Sequence, residues 1–455
     1  MSDKVTLMIG VSGVRGIVGE TLTPELITRL GVAFGTYMSS GKIVVGRDTR
    51  VSGAMIKHSV LAGLISTGCE VIDLDIVTTP TCALMIEELK ADGGIIITGS
   101  HNPIEWNALK FQKSSGIFLN DEEGKQLLNI YYQGVFKKAK WDGLQQVTEN
   151  HTGVETHIKK ILKNIDVKLI QSKKFKVVVD SCNGAGAIIT PLLLEELGCD
   201  FICIHCEPNG LFPHNPEPTF INLQELCKKV KTTKSDVGFA QDADADRVAI
   251  IDNKGHYIGE EYSVCLAADF ILGKYPGKTV VANLSTTLAM DDIAKKHHSK
   301  LIRTKVGEVH VAETMLREKA IIGGEGNGGI MYPKVHCVRD SLTGIALMLQ
   351  YMAETGKTME ELAAEIPRYS IVKEKVDLTA NNAFKIIEMM RKQCGKFKVD
   401  TTDGLTLTSP GVRINIRPSN TEPIIRIFAE TVSAVKAKAL ASEYKKKVVT
   451  LMGKA

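Results

Sequence analysis

Apolar and polar positions along this chain alternate between two rhythms. Short apolar runs read as buried strands, and longer stretches with apolar residues every three or four positions read as amphipathic helices. From the N-terminal side the pattern predicts a helix over 23–38 capped by Thr21 or Thr23, a strand over 42–45, a helix over 54–67 and a strand over 70–76. A helix over 82–90 after Pro80 and a strand over 95–98 follow. The polar stretch 137–152 reads as a boundary. The rhythm then restarts with strands over 176–180, 200–205 and 237–240 and helices over 187–198 and 221–230. A third block predicts helices over 260–272, 287–297 and 309–319, strands over 279–284, 301–304 and 320–323, and a long helix after Asp340.

These blocks share order and size, which suggests one α/β unit used three times. Repeated strand–helix–strand order predicts parallel or mixed sheets covered on both faces. From about residue 368 the character shifts to strand-like alternation over 405–416 and 424–430, then a basic helix over 432–449. The expected fold class is α/β: consecutive mixed-sheet α/β domains at 1–150, 151–255 and 256–368, then a smaller α+β domain at 369–455.

Composition narrows the function classes. At 455 residues the chain exceeds a single hydrophobic core, and its 44% hydrophobic and 24% charged residues are those of an ordinary globular protein. A net charge of +4 makes no case for nucleic acid or a membrane surface as partner. No apolar run approaches the ~20 residues of a membrane span, and Met-Ser-Asp-Lys lacks the apolar core of a signal peptide, so a cytoplasmic protein is expected. The ten cysteines are scattered and read as buried free thiols. Cys203 and Cys206 have C-x-x-C spacing, but no second pair follows at zinc-site spacing.

Four stretches carry candidate chemistry. Residues 93–103, GGIIITGSHNP, form an apolar run that ends in a loop presenting Ser100, His101 and Asn102. In open α/β sheets ligands bind outside the carboxyl ends of strands, so Ser100 is a candidate nucleophile, although serine equally suits a tight turn. Asp242, Asp244 and Asp246 alternate between two apolar runs, so their carboxylates share a face and call for a hard cation, magnesium or calcium. An EF-hand fits poorly, with Arg247 at its sixth position and Asn253 at its twelfth. Arg417-Pro418-Ser419-Asn420-Thr421-Glu422-Pro423, with Arg426, clusters donors suited to a phosphate. The glycine-rich stretch 323–329 allows close backbone approach to a ligand, with Glu325 and Asn327 as candidate sugar-hydroxyl partners. The stretch 273–279 is one residue short of a P-loop, and Ile189 replaces the third glycine of a dinucleotide fingerprint after Gly184.

In this order the stretches resemble the α-D-phosphohexomutase family, and the likeness covers nearly the whole chain, including Gly13-Val14-Arg15-Gly16. Within that family, Ser100-His101-Asn102-Pro103 through Trp106-Asn107-Ala108-Leu109-Lys110 is most similar to the phosphoglucosamine mutases. The resemblance implies four domains around a central cleft, one loop from each. It implies an intramolecular phosphotransferase that moves phosphate between the 6- and 1-oxygens of a hexose, through a phosphoserine enzyme and a hexose 1,6-bisphosphate. Ser100 would carry the phosphate and complete a Mg2+ shell with Asp242, Asp244 and Asp246. Lys110 matches the proton-transfer position, and Arg15 and His101 match supporting positions. Arg247 would sit beside the metal loop. Glu325 and Asn327 would read sugar hydroxyls, and Arg417, Ser419, Asn420, Thr421 and Arg426 would hold the phosphate that stays. Arg47 is a further cleft candidate. The expected substrate is glucosamine phosphate, in a monomer or homodimer. The alternatives are a phosphomannomutase/phosphoglucomutase, a non-catalytic phosphosugar-binding protein and a metal-dependent phosphohydrolase. Gly99 and Ala243 stand where many members have alanine and glycine, substitutions expected to be tolerated. Gly329 stands where many have histidine; if that histidine transfers a proton or orients substrate in those members, another group must do so here.

Overall fold

The computed structural model describes residues 8–10, 13–378, 382–418 and 424–452. Three consecutive α/β units lead into a C-terminal unit built on an antiparallel sheet. Each α/β unit contains the same arrangement of strands. The first strand pairs in parallel with the second on one side and the third on the other, and a fourth runs antiparallel to the third. In the first unit these are Lys42–Arg47, Glu70–Ile76, Gly93–Ile97 and Trp106–Lys113. In the second they are Lys176–Asp180, Asp200–Ile204, Val237–Gln241 and Val248–Ile251. In the third they are Thr279–Asn283, Lys300–Thr304, Ile322–Glu325 and Gly329–Met331. The repeated unit expected from the sequence is thus present as a repeated topology.

This arrangement positions the chemistry. The loop between the third and fourth strands holds Ser100 in the first unit, the three aspartates in the second and Gly326–Gly328 in the third. The C-terminal sheet places its arginines on the antiparallel pair Val412–Pro418 and Ile424–Thr431. Ser419, Asn420 and Thr421 lie outside the described residues.

The α/β units share one core. A single apolar cluster runs from Val44 and Ile96 through Val177 and Phe239 to Val280 and Ile322. The helix Ser341–Thr355 joins them: nearly every one of its residues is buried, and it packs on the helices Val167–Lys173 and Glu260–Lys274. Asp340 caps it by accepting from Leu342 N at 2.9 Å. The first sheet's other face and the C-terminal unit have their own apolar clusters.

Some elements differ from expectation. The helix expected after Pro80 is Thr79–Glu88 and contains it. Proline fits a first helical turn, where its missing N–H would have no partner, and Thr78 accepts from Thr81 N. The alternation over 405–416 is two strands, Leu405–Ser409 and Val412–Pro418, turning at Gly411 with φ +67°. Cys203 is exposed rather than buried, because its strand Asp200–Ile204 lies at the sheet's edge.

Candidate active site

Ser100 sits in left-handed backbone, φ +48°, which costs a non-glycine residue energy and turns its side chain toward the neighbouring unit. Its Oγ donates to Asp242 Oδ2 at 2.9 Å and lies 3.3 Å from His101 Nδ1. Arg50, fully buried, holds the loop: its guanidinium donates to the carbonyls of Ser100, Asn102 and Pro103 at 2.8, 2.7 and 2.7 Å. Asp48 pairs with Arg50 and accepts from Thr98 Oγ1 at 2.7 Å. Arg15 donates to Asn102 Oδ1 at 2.6 Å. The Arg247 guanidinium, then burial and Arg15, push the His101 imidazole down to about 2, so the ring is neutral.

The three aspartates are fully buried, with carboxylate oxygens within 4.8 Å of one another. Asp244 Oδ2 accepts from Lys110 Nζ at 2.9 Å and Thr79 Oγ1 at 2.7 Å. Burial disfavours its charge, but Lys110 and Thr79 outweigh burial and hold its pKa low. Burial, then Asp244 and Asp246, push the Asp242 carboxyl well above the usual range. Oδ1 of Asp244 and Oδ1 of Asp246 are buried without a hydrogen-bond partner. Crowded carboxylates with orphaned oxygens fit a hard divalent cation, and Ser100 Oγ lies at the edge of that group.

Arg339 ties the second loop to the third. It donates to Asp246 Oδ2 at 2.5 Å and Glu325 Oε2 at 2.9 Å, and its backbone N–H donates to Glu308 Oε1 at 2.9 Å. Burial, with Asp246 nearby, pushes Glu308 up to about 7. Glu325 also accepts from Asn283 Nδ2 at 2.6 Å and Gly307 N at 3.1 Å, which fixes it as an acceptor over the cleft. Asn327 Oδ1 is buried and unpartnered.

A cavity of about 370 Å³ is lined by Arg15, Ser100, His101, Lys110, Glu325 and Asn327. A second, of about 800 Å³, reaches the C-terminal unit at Arg417 and Arg426. Arg247, Asn327 and Arg426 line both, so the two form one cleft from Ser100 to the C-terminal arginines. The second cavity also presents Glu217, Glu260 and Glu261. Arg47 lies elsewhere: it pairs with Asp75 at 2.9 Å and lines neither cavity.

Family models of phosphoglucomutase/phosphomannomutase match the chain in succession: α/β/α domain I over residues 6–138, domain II over 155–255, domain III over 259–369 and the C-terminal domain over 371–447. The chain belongs to the α-D-phosphohexomutases. It is 39% identical to a phosphoglucomutase/phosphomannomutase of Thermococcus kodakarensis over 440 residues, 95% of this chain and 96% of that protein. It is 37% identical to a probable phosphoglucosamine mutase of Methanopyrus kandleri, over 96% of each. A putative phosphomannomutase structure from Thermus thermophilus superposes with a TM-score of 0.83 at 25% identity, covering 97% of this chain and 99% of that one. As a phosphohexomutase the protein is an intramolecular phosphotransferase, an isomerase.

Several residues of this phosphohexomutase site are not apparent from the sequence. Arg50, Thr79, Glu260, Glu308 and Arg339 are single polar residues brought in from distant elements. The glycine at 99 carries a signal that only the structure reveals. A Cβ there would lie 2.8 Å from the Arg50 guanidinium and 2.9 Å from the Trp106 carbonyl oxygen, so alanine would not be tolerated without a shift.

Proposed function

We infer that this phosphohexomutase acts on glucosamine phosphate, interconverting the 6- and 1-phosphates. One observation carries the choice of sugar. Glu260 Oε2 is buried in the cleft without a hydrogen-bond partner, beside Glu217 and Glu261 and within the cavity that also holds Arg417 and Arg426. A buried carboxylate without a partner is costly, and a cation placed against it removes that cost. A sugar with phosphate at one end and an ammonium on its ring complements arginines on one wall and carboxylates on another. The Methanopyrus kandleri relative bears a phosphoglucosamine mutase name, which agrees with this reading. The Thermococcus kodakarensis relative's name supports a second reading, a phosphoglucomutase/phosphomannomutase.

The site residues suggest a division of labour. Ser100, turned into the cleft, carries the phosphoryl group that it exchanges with the sugar. In the first transfer a sugar hydroxyl attacks phosphorus, the bond from phosphorus to Ser100 Oγ breaks and the sugar bisphosphate forms. The sugar turns, Ser100 Oγ attacks its other phosphate, and the remaining phosphate is on the exchanged oxygen. Lys110 Nζ, beside Asp244 and facing the same cavity, is the proposed proton-transfer group, linking the proton lost by the attacking hydroxyl in the first transfer to the sugar oxygen freed in the second. Asp242, Asp244, Asp246 and the Ser100 oxygen would hold Mg2+, which polarises the phosphoryl group and offsets its charge. Neutral His101 and Arg15 line the reacting end. Glu325 and Asn327 accept from sugar hydroxyls, and Arg417 and Arg426 hold the distal phosphate. Positioning and charge stabilisation dominate such a transfer.

The test is a parallel assay with magnesium and a trace of the matching bisphosphate, comparing kcat/KM for glucosamine, glucose and mannose phosphates. A clear preference for glucosamine phosphate is expected. Equal or better use of glucose or mannose phosphate would move the assignment to the second reading.

A further inference from the structure

A second cluster of ligating atoms lies in the middle unit, on residues with no part in the mutase chemistry. Asp180 ends the strand Lys176–Asp180 and is 1% exposed. Its Oδ2 lies 3.1 Å from His205 Nδ1 and 3.1 Å from His214 Nε2. The donor atoms all lie within 4.8 Å of one another. Asp180 Oδ1 is engaged elsewhere, accepting from Cys182 N at 2.9 Å, so Oδ2 is the oxygen the histidines share.

The outward nitrogens decide what this centre can hold. His214 Nδ1 lies 2.8 Å from the Asn215 carbonyl oxygen, which only accepts, so Nδ1 carries a hydrogen. His205 Nε2 lies 3.5 Å from Glu225 Oε2. An imidazole that donates outward to a carbonyl or carboxylate offers its inner nitrogen as a lone pair, as metal-bound histidines do. The outward donor is fixed for His214 alone; His205 Nε2 faces Glu225 at 3.5 Å without a hydrogen bond, so its tautomer is free to place a lone pair at Nδ1. Two inward lone pairs and one carboxylate oxygen converging on one point repel unless cations lie between them. The choice is two protons or one metal ion. Tetrahedral zinc with bonds of about 2.0–2.1 Å sets its ligand atoms roughly 3.3 Å apart, close to the spacing from oxygen to each nitrogen seen here.

We propose that Asp180, His205 and His214 form a structural metal site for a borderline divalent ion, zinc foremost, with solvent completing the shell. Two imidazoles and one carboxylate favour such an ion over magnesium. The cysteines nearby are not ligands: Cys206 Sγ points to the carbonyls of Ile204 and Val179, and Cys182 Sγ lies beside His214 Nδ1, the outward nitrogen. In the metal-free state the rings hold protons instead. Burial works against the charged His214, but its hydrogen bond to Asp180 pushes its pKa up to about 11.

The site would pin the loop that carries His214 to the Ser100 loop. Phe212, two residues before His214, lies under the Arg50 guanidinium at 4.8 Å, and Arg50 holds the carbonyls around Ser100. Thr49 Oγ1 donates to the Asn183 carbonyl at 2.8 Å, closing the same contact from the other side.

The experiment is cobalt titration of chelator-treated full-length protein with magnesium in excess, read by visible absorption. One equivalent should give the intense bands of four-coordinate cobalt, and zinc should abolish them. The bands should persist in Asp244→Asn, which alters the aspartate loop, and disappear in His214→Gln and His205→Gln. His205 is partly exposed, so its variant keeps the test usable if His214→Gln does not fold. Unchanged bands in the histidine variants, or no bands in wild type, would leave only a doubly protonated ion pair and overturn the proposal.

Discussion

Arg339 occupies the space that any side chain at Gly329 would need: a Cβ on Gly329 would lie 2.2 Å from Arg339 Cδ. Into that space the chain sends a guanidinium from another segment, bridging Asp246 and Glu325 at 2.5 and 2.9 Å. Gly329→Ala should therefore push Arg339 out of both contacts. Charge-assisted hydrogen bonds are worth about 1.5–3 kcal/mol each, so kcat should fall at least about tenfold. Steady-state kinetics on the folded variant would check this, and wild-type turnover would show that Arg339 can reach its partners by another route.

Ser100→Ala should abolish turnover while leaving the fold in place. The substitution removes one oxygen and its hydrogen bond to Asp242, a change of about 1 kcal/mol. It also removes the proposed phosphate carrier. Incubation with labelled glucosamine 1,6-bisphosphate should leave labelled protein for wild type and none for the variant. Equal labelling would place the carrier elsewhere.

Asp244→Asn should raise the magnesium concentration needed for half-maximal activity by one to two orders of magnitude, roughly the effect of losing one charged ligand. Thr79 can still donate to the amide oxygen, so the loop should remain folded. Isothermal titration with magnesium, read alongside activity, separates binding from chemistry. An unchanged magnesium requirement would remove Asp244 from the metal shell.

How far the sequence reveals this protein depends on whether the signal is contiguous. The strands Glu70–Ile76 and Lys176–Asp180 match their expected bounds because each is a short stretch rich in β-favouring Val, Ile or Leu with turn residues beside it, Gly68 before the first and Asn183-Gly184 after the second. Ser370–Asp377 carries no such signal, because it alternates lysine and glutamate on a largely exposed edge strand of its sheet. The hairpin at Gly411 reads as one strand in the sequence because the period-two pattern continues through a tight turn. The same rule holds in the site. Ser100 and the aspartates stand in compact motifs, so they are visible. Arg50 and Arg339 reach Ser100 and Asp246, about 50 and 93 positions away, and local pattern carries no trace of those pairings.

The buried cluster of His157, His336 and Asp340 should make the domain assembly sensitive to acid. Asp340 Oδ2 lies 3.1 Å from His157 Nε2 and 3.3 Å from His336 Nε2, and His157 Nδ1 reaches Thr81 Oγ1 at 2.9 Å, joining the first unit to the third. Burial lowers the pKa of His336 below 6.5. Folded His336 therefore stays neutral where the unfolded residue, with a pKa of about 6.5, binds a proton. Its contribution is full above that pH and is lost as pH falls below it, at up to about 1.4 kcal/mol per pH unit. Urea unfolding of wild type and His336→Gln at pH 7.5, 6.5 and 5.5 should show the difference in stability shrinking toward acid. A constant difference would mean that His336 titrates alike in both states.

Glu260→Gln tests the sugar assignment at a single atom. Glu260 begins the helix Glu260–Lys274, and burial raises its pKa while the Arg247 charge opposes the shift. Its Oε2 has no hydrogen-bond partner, so an ammonium on the bound sugar would gain a charge-assisted bond that a hydroxyl cannot match. Glutamine keeps the shape and removes the charge. The bond at stake is worth about 1.5–3 kcal/mol, so kcat/KM for glucosamine phosphate should fall roughly 10- to 150-fold. Glucose phosphate should change by less than about threefold, since no ion pair is lost with a neutral hydroxyl. Equal losses for both sugars would make Glu260 a general support of the cleft wall. Under that outcome the choice between sugars would have to come from other polar groups facing the same cavity, Glu217, Glu261, Asn327, Ser285 and Asn415 among them.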